Sequence, residues 1–273
     1  PAGVAAIRAP IVALTHHPLA LESGIDPALA ARLAETERAN LARARHVVVT
    51  SPHTAAVLAR DYGAAPDRLT AALPGVDRPS RPAAPPPGPP RLLAVGSHIR
   101  RKGHDTLLAA LAEARDLDWT CDIVGGARDA AVSAELDRQR ADLGLEPRVR
   151  FQGELEQPAL NALYGAASLF VLATRYEGYG MVFAEALAWG LPIVTCDAGA
   201  VRETVPPTTG LLVPPDDPAA FAAALRRMLS DPEVYAAARA GAAAAARALP
   251  TWRQTAEAVD RVLRSMSMTA TAT

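Results

Sequence analysis

The sequence predicts an α/β protein of two domains, each a parallel sheet covered by helices. Three observations carry that expectation. Short apolar runs alternate with longer amphipathic stretches, and this alternation builds parallel strands joined by helical crossovers on both faces. Seven prolines crowd into residues 79–90, a stretch that can neither pair in a sheet nor continue a helix, so it reads as an extended linker. The length of 273 residues, half of them hydrophobic, suits two domains with sizeable cores.

The elements follow in order. The apolar run at 11–14 is a strand. Residues 27–44 read as a helix, with Pro27 in its first turn and Arg32, Glu35, Glu37 and Arg38 facing outward. The β-branched run at 47–50 is a strand. Ser51 and Pro52 then supply an N-cap and a first-turn proline for a helix to about residue 61, stopped by Gly63. A third strand at 69–72 completes a partial first domain, 1–78. After the 79–90 linker, the second domain spans 91–250. Its strands are expected at 92–95, 121–124, 149–151, 169–172, 193–195 and 211–213. Helices are expected at 104–114, 130–143, 159–166, 182–188, 218–229 and 232–249. A last helix at 251–266 carries Trp252, Ala256, Val259 and Leu263 on one stripe, and a disordered tail, 267–273, is expected beyond it.

Composition excludes several function classes. A net charge of −1 lacks the basic excess of a nucleic-acid binder. Cys121 and Cys196 sit singly in apolar runs without a CxxC partner, so they read as buried thiols in a reducing cytoplasm. No apolar run reaches the roughly 18 residues a membrane span needs. The expected location is cytoplasmic, with peripheral contact at the inner face of the plasma membrane as an extension. The chain opens at Pro1, and about three strands precede the linker, so the first domain is expected to be N-terminally incomplete, with an uncovered edge or apolar face at the strand 11–14.

The chemistry concentrates in Glu177-Gly-Tyr-Gly-Met-Val-Phe-Ala-Glu185, directly after the strand at 169–172. Ligands of parallel sheets bind at the carboxyl ends of strands. Gly178 and Gly180 let the backbone approach a ligand closely. Free amides leading into a helix near Val182 suit a phosphate. Glu185, on that helix's first turn, and Glu177, in the loop before it, can accept hydrogen bonds from the hydroxyls of a ribose and a sugar. A second strand end, at Gly96, is followed by the basic triplet Arg100-Arg101-Lys102 and then Gly103. Neither domain has a G-x-G-x-x-G after its first strand, which argues against a nicotinamide-dependent dehydrogenase.

These residues resemble the E-x7-E signature of the family-4 retaining glycosyltransferases of GT-B fold. The likeness takes in Val95-Gly96, Arg101-Lys-Gly-His-Asp105, Val149-Arg-Phe-Gln-Gly153, Tyr164, Glu185-Ala-Leu-Ala-Trp-Gly-Leu-Pro-Ile-Val194 and Gly210-Leu-Leu-Val213, and covers 91–229. It implies two Rossmann-like domains facing across a cleft. It further implies transfer of a sugar from a UDP- or GDP-sugar to a glycan, lipid-linked or small-molecule hydroxyl acceptor, with retention, in cell-envelope or exopolysaccharide assembly. Carried over residue by residue, Glu185 binds the ribose and Glu177 contacts the donor sugar. The amides from Gly178 through Gly180, Met181 and Val182 face the sugar and distal phosphate, and Lys102 holds the diphosphate. His16, with His17 as the second choice, follows the strand at 11–14 and faces the donor sugar. The family places Arg directly after the glycine at 96. Here that residue is Ser97, so a phosphate contact is expected either to be missing or to be supplied by Arg100 or Arg101. The resemblance implies no cofactor and no metal, since no Asp-x-Asp pair stands where an ion would bridge the diphosphate. The alternative is a truncated nucleotide-sugar-binding module with little or no transfer.

Overall fold

A computed structural model describes residues 2–270. The chain divides into two compact units, one of residues 1–76, 177–179 and 250–273, the other of 77–176 and 180–249.

The first unit opens with a short helix, α1 (Ala2–Ala5), absent from the sequence-based expectation, and continues through β1 (Val12–Thr15), α2 (Pro27–Leu41), β2 (His46–Val49), α3 (Pro52–Tyr62) and β3 (Leu69–Ala71). Asp26 caps α2 by accepting from the amides of Ala28 and Leu29 at 2.9 and 3.2 Å. Ser51 caps α3 through the Thr54 amide, and Gly63, at φ 68°, closes it. Among the described residues the strands of this unit form a parallel sheet in the order β1-β2-β3. Its central strand splits its side chains by the two-residue period: Val47 and Val49 pack with Leu58 and Tyr62, whereas Val48 packs on the opposite face. β1 lies at the sheet's edge, and its Leu14 is 63% exposed.

The second unit contains β4 (Arg91–Val95), α4 (His104–Glu113), β5 (Thr120–Val124), α5 (Ala130–Asp142), β6 (Val149–Gly153), α6 (Gln157–Ala166), β7 (Leu169–Leu172), α7 (Met181–Ala188), β8 (Ile193–Cys196), α8 (Val201–Thr204), β9 (Gly210–Val213), α9 (Pro218–Ser230) and α10 (Pro232–Ala248). Among the described residues its strands form one parallel sheet in the order β6-β5-β4-β7-β8-β9. The chain winds outward from β4 in one direction through β6, then returns to β4's other side at β7. The crevice outside the carboxyl ends of β4 and β7 is therefore the topological switch point, where such sheets bind ligands. Leu92, Ile123, Val171, Trp119, Leu111 and Phe221 are buried in the core that holds this sheet. Cys121 and Cys196 are free buried thiols, and burial pushes Cys196 up to about 12.

Residues 79–90 carry no helix or strand, yet they are fastened to the second unit. The Ala83 amide donates to the Trp189 carbonyl at 2.7 Å and the Ala84 amide to the Gly165 carbonyl at 2.9 Å. The division between units falls before Asp77 instead of inside the proline run. The last helix, α11 (Trp252–Ala270), belongs to the first unit, where Ala258 and Val262 cover Val48 and Ala72. It continues four residues past the expected end at 266, because Ser267, Met268, Thr269 and Ala270 include neither glycine nor proline. The remainder of the expected tail, 271–273, lies outside the described residues.

Candidate active site at the β4–β7 switch point

The loop after β4 is built around one glycine. Gly96 donates its amide to the Val124 carbonyl at 2.8 Å, and its own carbonyl accepts from His104 Nε2 at 2.9 Å. A Cβ at Gly96 would lie 3.1 Å from Lys102 Cγ and Cδ, so the lysine stem lies over this residue. A Cβ on Gly125 would lie 2.0 Å from the Gly96 carbonyl oxygen. Residues 100–102 form one 3-10 turn, closed by Gly103 in the left-handed region, and this turn aims Lys102 back over the strand end. His104 is buried, and desolvation pushes its imidazole down to about 4. It is the neutral tautomer with its proton on Nε2, because a carbonyl can only accept; Nδ1 has no hydrogen-bond partner among the described residues. Ser97 follows Gly96, half-buried.

The loop after β7 leads into α7. Gly180, at φ 83°, is the N-cap, and having no side chain it makes no cap bond to the first-turn amides. Met181 is 39% exposed and Val182 half-buried. The helix starts one residue earlier than expected, which moves Glu185 from the first turn into the second. There Tyr164 Oη donates to Glu185 Oε2 at 2.9 Å. Tyr164 is fully buried and stacks against Phe170 and Trp189 at 6.2 and 6.4 Å between centroids. Burial raises the Glu185 carboxyl above its ordinary value of 4.5, and the Tyr164 bond pulls it back down. Since Tyr164 engages only one carboxylate oxygen, the other can accept from a ligand hydroxyl.

The two loops are stitched together. Arg101 Nη1 donates to the Tyr176 carbonyl at 3.0 Å, while the Arg101 carbonyl accepts from the Arg175 amide at 2.8 Å and from Thr174 Oγ1 at 3.1 Å. Arg101 thus spends at least one donor on holding the loop that precedes Glu177.

The other anticipated residues fall in the first unit, with which 177–179 cluster. Glu177 is 5% exposed. Thr54 Oγ1 donates to the Gly178 carbonyl at 3.2 Å, and Thr50 Oγ1 to the His16 carbonyl at 3.1 Å. A Cβ on Gly178 would stand 2.3 Å from that same His16 oxygen, so His16 meets the motif through its backbone. The His16 side chain is exposed, and His17 Nε2 lies 3.4 Å from Glu22 Oε2.

The structure therefore brings Gly96, Ser97, Arg101 and Lys102 to one strand end, and Gly180, Met181, Val182 and Glu185 to its neighbour. His16, Glu177 and Gly178 belong to the first unit. Sequence reasoning gave no role to Tyr164, His104 or Thr54. Tyr164 and His104 fall inside segments that resemble the family, but their partners are 21 and 8 residues away and nothing local announces them. Among the described residues no cluster of three or more His, Cys, Asp or Glu could hold a metal ion.

Residues 89–231 match the family described as Glycosyl transferases group 1. D-inositol 3-phosphate glycosyltransferase 1 of Catenulispora acidiphila is 35% identical across 83% of this chain and 58% of its own length. A GDP-mannose-dependent monoacylated alpha-(1-6)-phosphatidylinositol monomannoside mannosyltransferase of Corynebacterium glutamicum is 32% identical across 61% of this chain and 45% of its own. The chain thus spans about half the length of these curated relatives. Among solved structures, sucrose-phosphate synthase of Thermosynechococcus elongatus matches 94% of this chain and 68% of its own, at 28% identity and a TM-score of 0.82. The architecture is GT-B. With a family match over more than half its residues, this chain belongs to the group 1 glycosyl transferases.

Proposed function

We propose that the β4–β7 switch point binds a nucleoside diphosphate sugar, UDP- or GDP-linked, and that the protein transfers its sugar to a hydroxyl acceptor with retention, as a family-4 enzyme of the E-x7-E type. The observation that carries this reading is the convergence, at adjacent strand ends, of the Lys102 turn laid over Gly96 and the glycine-capped start of α7 with Glu185 behind it. Uncapped amides at the positive end of a helix and a lysine both stabilise a diphosphate, and more so as negative charge develops on it during departure. Glu185 accepts from the ribose hydroxyls. Glu177 is the donor-sugar carboxylate, with Gly178 clearing the backbone beside it and His16 as a further sugar contact. Ser97 leaves the arginine position of the family vacant, and Arg100 or Arg101 serves in its place.

No cofactor or metal is part of this proposal: Lys102 and the α7 amides carry the phosphate charge. The acceptor is a hydroxyl of a glycan, a lipid-linked sugar or a small molecule, in cell-envelope or exopolysaccharide assembly. The mannosyltransferase relative, whose name specifies GDP-mannose and a phosphatidylinositol mannoside, supports a nucleotide-sugar donor and a lipid-linked acceptor. We place the protein in the cytoplasm, peripheral to the inner membrane face; among the described residues no helix is long and apolar enough to cross a membrane.

Calorimetry with UDP and GDP tests the reading. Glu185→Ala should lose roughly 1.5–3 kcal/mol of nucleotide affinity, the worth of hydrogen bonds to a charged group. Lys102→Ala should weaken diphosphate binding, and EDTA should leave it unchanged. Normal affinity in both variants, or loss of binding with chelator, overturns it. Binding without sugar transfer would identify a donor-binding module.

A further inference from the structure

We infer that Arg175 is a positioning residue for the donor phosphates: it fixes the Lys102 turn and the loop before Glu177 as one rigid platform. The inference rests on the donor-site reading above. An arginine guanidinium has five N–H donors in a planar fork. Arg175 directs them at five acceptors. Nε meets Asp216 Oδ1 at 2.6 Å. Nη1 meets Asp105 Oδ1 at 2.9 Å and the Arg100 carbonyl. Nη2 meets Asp105 Oδ2 at 2.8 Å and Thr106 Oγ1 at 3.4 Å.

Those acceptors belong to three separate segments of the second unit: the 3-10 turn at 100–102, the first turn of α4, and the loop after β9. Arg175 itself is in the loop after β7. One side chain therefore ties together loops that leave three strands, and its own amide adds a bond to the Arg101 carbonyl. The Arg175 side chain is 21% exposed, less than Asp105 at 46% or Asp216 at 60%, so the charge is held inside the platform. Asp216, at φ 57°, is the residue outside glycine that adopts a left-handed backbone among the described residues, a conformation open to Asp and held here by the bond to Arg175. Lys102 lies within the clamped turn, between Arg100 and Asp105. A lysine contributes to phosphate binding only as a point charge at a fixed place, so loosening this turn costs the phosphate increment of binding and spares the nucleoside.

Two measurements on the full chain test this with Arg175→Gln, which removes the charge and the fork, and Arg175→Lys, which keeps the charge alone. The first is amide hydrogen exchange without ligand. Residues 97–103 and 173–176 should exchange at least about tenfold faster together in both variants, with β4 and β7 unchanged, as expected for a local opening. The second is the ratio of affinities for nucleoside diphosphate and monophosphate, UDP against UMP and GDP against GMP. Both variants should lose about tenfold in that ratio while monophosphate binding stays within about twofold. Asp105→Asn, which disarms the bidentate partner from a half-exposed position, should reproduce both effects if Arg175→Gln does not fold. An unchanged ratio, unchanged exchange at 97–103, or full recovery in Arg175→Lys overturns the inference. If the wild-type chain binds neither UDP nor GDP, the donor reading falls, and the exchange measurement alone decides whether Arg175 couples the loops.

Discussion

Tyr164 and Glu185 form a pair whose chemistry depends on pH in a direction the structure specifies. Burial raises the Glu185 carboxyl above 4.5, with the Tyr164 hydroxyl opposing that rise. A ribose diol is held by the carboxylate form. Nucleotide affinity should therefore fall as pH drops through the raised value, earlier than for an ordinary glutamate. Folding stability runs the other way: the contribution of this group is fully present below 4.5 and is lost as pH rises through its raised pKa. Tyr164→Phe removes the opposing bond, so the binding midpoint should move further up and the fall in affinity should begin at a higher pH than in the parent chain. Calorimetry from pH 5 to 8 on both proteins checks this, and coincident profiles would refute it. His104 supplies the contrasting case. Its imidazole is pushed from 6.5 to about 4, so the folded chain stays neutral where the unfolded chain takes up a proton. Its contribution is fully present above 6.5 and is lost as pH falls toward about 4, on the order of 3 kcal/mol in all. Urea titrations should show a shallower loss of stability over that window in His104→Gln, which keeps an N–H for the Gly96 carbonyl without a titrating ring. Glu185 and Lys102 could be nominated from their neighbours in the sequence; Tyr164 and Arg175 could not. Arg175's carboxylate partners lie 70 and 41 residues away, and a lone arginine in a loop looks the same whether it is solvated or the centre of a clamp.

The joints between elements hold the site's geometry. Gly103 ends the 3-10 turn that carries Lys102 and begins α4, at φ 64°, and a Cβ there would stand 1.8 Å from the Ala173 carbonyl oxygen. Gly144 has nearly the same φ, 65°, but a Cβ would meet nothing within 4 Å. The two substitutions separate backbone strain from collision. Gly144→Ala should cost the left-handed penalty alone, about 1–2 kcal/mol. Gly103→Ala should cost more, above about 3 kcal/mol, and should also weaken UDP or GDP binding, because loop 173–176 must move away from the turn. Equal losses in denaturant titrations would show that the contact is soft. Most strands were legible because each is a short apolar run closed by glycine or a polar turn, and the helices because caps such as Asp26 and Ser51 precede them. α7 begins at Met181, one residue before the start expected near Val182, because Gly180 caps it without a side-chain signal. The proline run was legible as non-helical and non-sheet. Its attachment was not: the bonds from Ala83 to Trp189 and from Ala84 to Gly165 are backbone contacts over long sequence separations.

At the scale of the whole molecule, the two units differ in how the chain enters them. The second is a single uninterrupted stretch, 77–249, apart from the three residues 177–179. Among the described residues its sheet lies within that stretch, and so does each residue of the buried core cluster that runs from Leu92 to Ala238. The first unit is discontinuous: Val48 and Ala72 are covered by Ala258 and Val262, which lie some 200 residues further along the chain. Burial of apolar side chains is the main favourable contribution to folding, at about 25 cal/mol per Å² removed from water. A fragment keeps the stability of a core only if it keeps both faces of it. Residues 77–249 expressed alone should therefore unfold in one cooperative transition and retain UDP or GDP affinity within about tenfold of the full chain. Glu185, Tyr164, Lys102, Arg175 and both loops at the switch point travel with it. Residues 1–76 alone should fail to fold, since the sheet face at Val48 would be bare, and an apolar sheet face beside the exposed edge of β1 favours association. Adding 250–273 as a separate peptide should restore part of the structure, because α11 supplies the missing cover. Val262→Asp in the full chain should selectively melt the first unit, leaving nucleotide binding by the second in place. Circular dichroism, sedimentation and calorimetry on these four preparations decide the matter: a 77–249 fragment that stays unfolded, or a 1–76 fragment that is monomeric and cooperative, would show that the stability of each unit is not set by its own core.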